Sequence, residues 1–118
     1  MAARRKAVRS SKAAAADAGL REVLEAFRDC RPLFQALGEP ARQDIIMLLA
    51  EHERLNVTAL AERLPLSRPA ISHHLKVLKS AGLVAMARES RENHYSLELD
   101  SALERLQNLV EVAGSSCT

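Results

Sequence analysis

Residues 65–84 read PLSRPAISHHLKVLKSAGLV, a turn, an amphipathic helix and a stop. Ile71, Leu75 and Leu78 recur at i, i+4 and i+7, one apolar stripe of a helical period. Arg68, Ser72, His73, Lys76 and Lys79 fall on the opposite side, and all are cations or hydrogen-bond donors. Ser67 can cap the helix with its hydroxyl, and Pro69 sits in the first turn, where a missing N–H costs nothing. Gly82 supplies the left-handed conformation of a helix stop. A helix that buries one side and offers donors near its N-terminus meets the requirements of a major-groove reader.

The segments on either side fit such a unit. Val57 to Leu64 forms a short helix with Leu60, Ala61 and Leu64 inward, closed by Pro65. Its very short connection to residues 67–80 makes the pair a helix-turn-helix candidate. After Gly82, Leu83 to Glu89 is short and mostly apolar, Ser90 to Asn93 is a polar turn, and Tyr95, Leu97 and Leu99 alternate with Ser96 and Glu98. A β-hairpin is expected there, placed as a wing beside the reading helix.

Upstream, Leu20, Val23, Leu24 and Phe27 recur at helical spacing and predict a helix over 18–29. Pro32 is expected to break it. Leu33, Phe34 and Leu37 then suggest a short second helix ending at Gly38. Pro40 opens a third, with Ile45, Ile46, Leu48 and Leu49 buried, and His52 to Asn56 is a polar break. Asp100 or Ser101 can cap a last helix over 101–113 that carries Leu103, Leu106, Leu109 and Val110. The expected fold is mainly α with a small β-hairpin, a winged helix-turn-helix of order α-α-α-α-α-β-β-α. One domain over 17–114 is anticipated, with a basic disordered arm at 1–16 and a frayed end at 115–118.

Charge is unevenly spread. Of 17 Lys and Arg, five (Arg4, Arg5, Lys6, Arg9 and Lys12) lie within residues 1–16. That leaves 12 against 15 acids, a net −3, for the remainder. Within that acidic remainder, Arg68, Lys76, Lys79, Arg88 and Arg91 face Glu89 alone over residues 67–91. The strip is the footprint of a phosphate-binding surface, and the arm can add nonspecific attraction. With one Tyr, two Phe and no Trp, base stacking on aromatics is a poor mode, which disfavours single-stranded targets. Two cysteines in no metal-like spacing suit a reducing cytosol, and no run approaches the roughly 18 apolar residues of a membrane helix. Asp17 interrupts the apolar stretch before a signal-peptide core forms. A cytoplasmic protein is expected.

LFQALGEPARQDIIMLLAEHE, NVTALAERLPLSRPAISHHLKVLKSAGLV and the hairpin with Tyr95 together resemble the ArsR/SmtB family of bacterial winged-helix repressors. The resemblance covers about Leu33 to Leu99. It implies a homodimer formed through the first and last helices, here Leu20, Val23, Leu24, Phe27, Leu103, Leu106, Leu109 and Val110. It also implies binding to an imperfect palindrome of double-stranded promoter DNA and repression by blocking polymerase. Two reading helices would then enter successive major grooves roughly 34 Å apart.

The metal sites of that family are not matched. Where a C-V-C-type thiolate motif stands in many members, this chain has Asn56, Val57 and Thr58, whose neutral oxygens are poor ligands for soft metals. The last helix holds Asp100, Glu104 and Glu111 but no histidine. His73 and His74 are adjacent, point about 100° apart on a helix and cannot chelate one ion. No metal and no cofactor is therefore expected. Nor does the chain offer a glycine-rich phosphate loop, paired carboxylates or a Ser–His–Asp arrangement, so an enzyme is not anticipated.

The candidate DNA contacts are Ser67, Arg68, Pro69, Ser72, His73, Lys76, Lys79, Arg88 and Arg91. Arg68 can fork onto guanine O6 and N7, worth roughly 1–3 kcal/mol of discrimination, or hold a phosphate. Lys76 and Lys79 suit the backbone, and Arg88 and Arg91 of the wing suit the minor groove or backbone, a solvated turn being the plain alternative. His74, beside the buried stripe, is expected to be half-buried and hydrogen-bonded. Two other functions compete. Cys30 and Cys117 could form a redox or soft-metal switch, or be incidental. A winged helix can also serve as a protein-interaction module, a use that needs no clustered cations. An unknown effector or partner protein remains open.

Overall fold

The computed structural model describes the backbone of residues 11–117 and the side chains of residues 17–115. Its helices are α1 (Ser11–Leu37), α2 (Pro40–Glu51), α3 (Val57–Arg63), α4 (Arg68–Ser80) and α5 (Asp100–Cys117). Between α4 and α5 lie strands β1 (Val84–Glu89) and β2 (Glu92–Leu97). The described chain divides into a unit of Arg31–Glu104 and a second unit formed by the segments that precede and follow it.

Within Arg31–Glu104 the core is aliphatic. Leu33, Ile45, Leu60, Ile71, Leu75 and Leu78 are fully buried, and no polar or charged side chain among the described residues is. Helix α4 packs against α3, α2 and β1, as a winged helix-turn-helix requires. Its three buried positions are Ile71, Leu75 and Leu78, the stripe read from the sequence. Ser67 caps it, its hydroxyl accepting a hydrogen bond from Ala70 N–H at 3.2 Å. At the other end, Gly82 has φ 80°, Leu83 N–H donates to Leu78 O and Gly82 N–H donates to Lys79 O, both at 3.0 Å. The two bonds together form a Schellman stop.

The hairpin pairs β1 and β2 antiparallel, with Val84 opposite Leu97 and Met86 opposite Tyr95. Strand β2 ends at Leu97, so Leu99 lies outside it, and Glu98 N–H instead donates to Leu83 O at 3.0 Å. The turn is tighter than the sequence suggested, just Ser90 and Arg91, both with positive φ (49° and 68°). Positive φ at both central residues is the type I′ signature, whose twist matches the strands. Leu55 adds an unforeseen third edge. It is buried, and it exchanges two backbone hydrogen bonds with Tyr95, at 3.0 and 2.8 Å.

The expected break at Pro32 does not occur. Pro32 lies inside the continuous helix Ser11–Leu37, so the two helices anticipated over 18–29 and 33–38 are one. The described order is accordingly α-α-α-α-β-β-α, still a winged helix. Val23, Ala26, Cys30, Leu33 and Ala36 are buried in succession, a helical stripe that runs straight through the proline. A mid-helix proline costs about 3 kcal/mol. Full burial of Leu33 returns about 1.5–3 kcal/mol, with Cys30 and Ala36 adding to it. Pro32 and Arg28 are exposed, so the carbonyl left without its helical donor lies on the solvent side.

Residues 1–10 of the expected arm lie outside the described residues. Ser11–Ala16 are helical, extended by alanines that favour a helix. Helix α5 likewise continues past Gly114 to Cys117. In the second unit, the Cys30 thiol donates to Arg105 O at 3.3 Å and Arg105 Nη1 donates to Asp29 O at 3.2 Å, tying α1 to α5.

Gly82→Ala forces a Cβ into the left-handed region. It is expected to destabilise the fold by about 1–2 kcal/mol, read as a lower urea midpoint with an unchanged slope.

Candidate nucleic-acid interface

Burial of one stripe turns the rest of α4 outward. Ser67, Arg68, Pro69, Ser72, His73, Lys76 and Lys79 are all exposed, as are Arg88 and Arg91 on the hairpin. The nine candidate contacts therefore lie on solvent-facing positions of two elements, α4 with its cap and the wing. Five are cationic, which suits a surface that displaces counterions from phosphates. Arg88 Nη1 reaches its cross-strand partner Asn93 Oδ1 only at 3.5 Å. An open groove of about 490 Å³ runs beside α4, lined by Pro32, Gln35, His73, Lys76, Val77 and Ser80.

The wing is clasped near its tip by the α2–α3 connection. Glu89 and Glu92 face each other across the strands, a like-charge pair that would push the hairpin apart. Each carboxylate has a partner from that connection. Arg54 Nη1 meets Glu89 Oε1 at 2.7 Å, and Asn56 Nδ2 donates to Glu92 Oε2 at 3.2 Å. The hydrogen bond and charge of Arg54 hold the Glu89 carboxyl below the usual carboxylate range. His94 Nε2 also lies 3.7 Å from Glu92.

The profile of the bacterial regulatory proteins of the arsR family matches residues 39–85, which span α2, α3, α4 and the start of the wing. An uncharacterized HTH-type transcriptional regulator of Methanocaldococcus jannaschii is 34% identical over 88 residues, 75% of this chain and 98% of that protein. The chain belongs to the ArsR family of DNA-binding transcriptional regulators. A second relative of this family, the HTH-type transcriptional repressor SmtB of Mycobacterium tuberculosis, is 40% identical over 77 residues. That match takes in 65% of this chain and 54% of SmtB, so the chain spans about half of that relative. Among solved structures, an ArsR-like transcriptional regulator from Rhodococcus sp. RHA1 superposes with a TM-score of 0.68 at 28% identity, covering 75% of this chain and 83% of that one.

Where other ArsR-family chains can carry thiolates, Asn56 serves as the N-cap of α3. Its Oδ1 accepts from Ala59 N–H at 2.8 Å while its Nδ2 holds Glu92. Among the described residues no group of three or more His, Cys, Asp or Glu side chains is placed to hold a metal ion. Cys30 is fully buried, its thiol spent on a carbonyl, and the side chain of Cys117 lies outside the described residues.

Several large apolar side chains are left uncovered. Leu20, Leu24 and Phe27 on α1 are 55%, 47% and 48% exposed, and Leu103 and Val110 on α5 are 49% and 71% exposed. Val23 is buried within the chain and Leu106 and Leu109 are partly so, which leaves them beneath such a face rather than on it.

His74 is half-buried, as expected, and accepts at Nδ1 from Arg42 Nη1 at 3.2 Å. Arg42 was not singled out by the sequence, because its partners are carbonyls and a histidine with no local signature. Burial, then the charges of Arg42 and His73, push the His74 imidazole below its ordinary value, with Glu39 acting in the opposite direction. On acidification the unfolded chain therefore takes up this proton first. Stability from His74 is complete above about pH 6.5 and is lost as pH falls through the lowered folded-state value. Urea midpoints measured from neutral pH downward should fall, and those of His74→Asn should fall less.

Proposed function

We propose that this regulator is a homodimeric repressor that binds an imperfect palindrome of double-stranded DNA in the cytoplasm. The observation that carries the proposal is the orientation of α4. Its apolar stripe is fully buried while Arg68, Ser72, His73, Lys76 and Lys79 are exposed together. Arg68, at the first position of the helix, is assigned to a guanine edge. Ser72 and His73 are assigned to bases or phosphates, and Ser67, Lys76, Lys79, Arg88 and Arg91 to the backbone. The SmtB relative is a transcriptional repressor, which supports the same role here. No helix among the described residues is long and apolar enough to cross a membrane.

The dimer is proposed through the uncovered α1 and α5 residues, above all Leu20, Leu24, Phe27 and Val110, since an exposed apolar patch of this kind marks an interaction surface. Neither catalysis nor a bound metal is part of the proposal. Burial of Cys30 gives the redox alternative no support, and the basic surface favours DNA over a purely protein-binding role.

Selection of the purified protein against random duplex DNA at near-physiological salt tests the proposal. Enrichment of an inverted repeat, with half-sites about one helical turn apart, is expected. On the enriched duplex, Arg68→Ala should cost about 1–3 kcal/mol and relax preference at one base pair per half-site. Lys79→Ala should weaken all sequences alike and lower the salt slope by about 1. Failure to enrich any sequence would contradict the repressor reading.

Phe27→Glu tests the dimer separately. The side chain is 48% exposed in the single chain, so the substitution is expected to leave the fold intact. Sedimentation should show monomers and DNA affinity should drop; a Phe27→Glu dimer would remove this face from the interface.

A further inference from the structure

Arg42 occupies a position that DNA contact alone does not explain. It lies in the first turn of α2, and three of its guanidinium nitrogens are engaged. Nε donates to Ala36 O at 2.7 Å, Nη2 to Gln35 O at 3.2 Å and Nη1 to Nδ1 of His74 at 3.2 Å. Gln43 next to it donates from Nε2 to Leu37 O at 2.6 Å. Between them, the two residues satisfy carbonyls at the C-terminal end of α1 that no helical N–H can reach. A cation there also meets the negative end of the helix dipole.

The third bond differs in kind, because it runs to the reading helix. We propose that Arg42 is a positioning residue for DNA recognition, fixing the middle of α4 against the last turn of α1 through His74, and that protonation of His74 releases it. The proposal rests on the DNA-binding role of α4 given above.

A guanidinium is planar and rigid, so two bonds to the α1 carbonyls fix where the third nitrogen points. Arginine has only donors, so Nδ1 of His74 must carry a lone pair, and the proton of the neutral ring sits on Nε2. A doubly protonated ring offers no acceptor to Arg42 and places a second cation 3.2 Å from the first. His73 precedes His74, and Ser72 and Lys76 stand two residues to either side of it, all three turned outward. Small displacements of α4 at this point would therefore move the assigned contacts relative to the groove edges they must meet.

The charged groups acting on His74 are Arg42, His73 and Glu39. The remaining elements packed on α4 bring Glu62 and Arg63 of α3 and Arg88 and Glu89 of β1, and all four are solvent-exposed. Burial acts most strongly on the ring, followed by Arg42 and His73, and Glu39 opposes them least.

The test uses a duplex enriched by the wild-type protein from a random pool. Affinity and thermal stability are measured for wild type, Arg42→Met and His74→Asn at about pH 7.5 and about pH 5.5, on either side of the ordinary histidine range. Methionine keeps an unbranched stem but none of the three donors. Asparagine can place Oδ1 where Nδ1 stood and does not titrate. Arg42→Met should bind about tenfold more weakly at the higher pH, the scale of a lost charge-assisted bond. His74→Asn should match wild type at the higher pH and bind several-fold tighter than wild type at the lower. His73 neighbours His74 and is charge-coupled to it, so the same ratio is also measured in a His73→Asn background, which removes its contribution. A folded Arg42→Met that binds like wild type overturns the inference, as does a His74→Asn to wild-type ratio that is the same at both pH values. If Arg42→Met does not fold, the ratio alone decides. A wild-type protein that enriches no duplex overturns the DNA-binding role together with this inference, whereas intact wild-type binding with unaffected variants overturns this inference alone.

Discussion

Burial of Ile71, Leu75 and Leu78 fixes the rotation of α4 about its own axis, and the functional surface depends on that rotation. Each of these side chains is fully buried and contributes about 1.5–3 kcal/mol. Turning the helix to hide its cations would expose the stripe and bury charge without partners, so one orientation wins by a wide margin. The cap at Ser67 and the Schellman stop at Gly82 set where the helix begins and ends, and thereby which residues can enter a groove first. The wing depends on a different device. Leu55 pairs with Tyr95, and Arg54 and Asn56 each hold one of two opposed carboxylates, so the strip carrying Arg88 and Arg91 keeps its register beside an acidic pair.

Helix α1 shows how side-chain size assigns two faces to one helix. Its buried line is made largely of small residues, Ala26, Cys30 and Ala36, with Val23 and Leu33. Its bulky residues Leu20, Leu24, Phe27 and Phe34 remain exposed. Small residues let a neighbouring element approach closely, while the large ones outside form the face proposed for the dimer. The same arrangement explains why Pro32 is tolerated. The proline falls on an exposed position while the buried line passes on the other side.

Most of the winged helix could be read from the sequence because its signals are local. A stripe at helical spacing, a serine before it, a proline in the first turn and a glycine after it each constrain a few neighbouring residues, and together they define α4. Seven of the nine candidate contacts follow from that definition and two from the hairpin, and all lie exposed. What escaped depended on contacts distant in sequence. Nothing near Pro32 reveals that Leu33 and Ala36 will be buried deeply enough to hold the helix together. Leu55, in a polar break, gains its strand character from Tyr95 forty residues later. Arg42 sits in a stretch that announces only a helix start, and its role emerges when the end of α1 and the middle of α4 converge on it. Val23 looked like one more residue of the apolar face, and only packing distinguishes it from Leu24.

In the proposed complex, α4 and the wing turn are the surface that meets DNA. Titrating isotope-labelled protein with an enriched duplex and following the backbone amide resonances tests it most directly. The account predicts the largest shifts at residues 67–79 and at Arg88 to Arg91, with the interior of α2 nearly unchanged. Shifts confined to other surfaces, or none at saturating duplex, would contradict it.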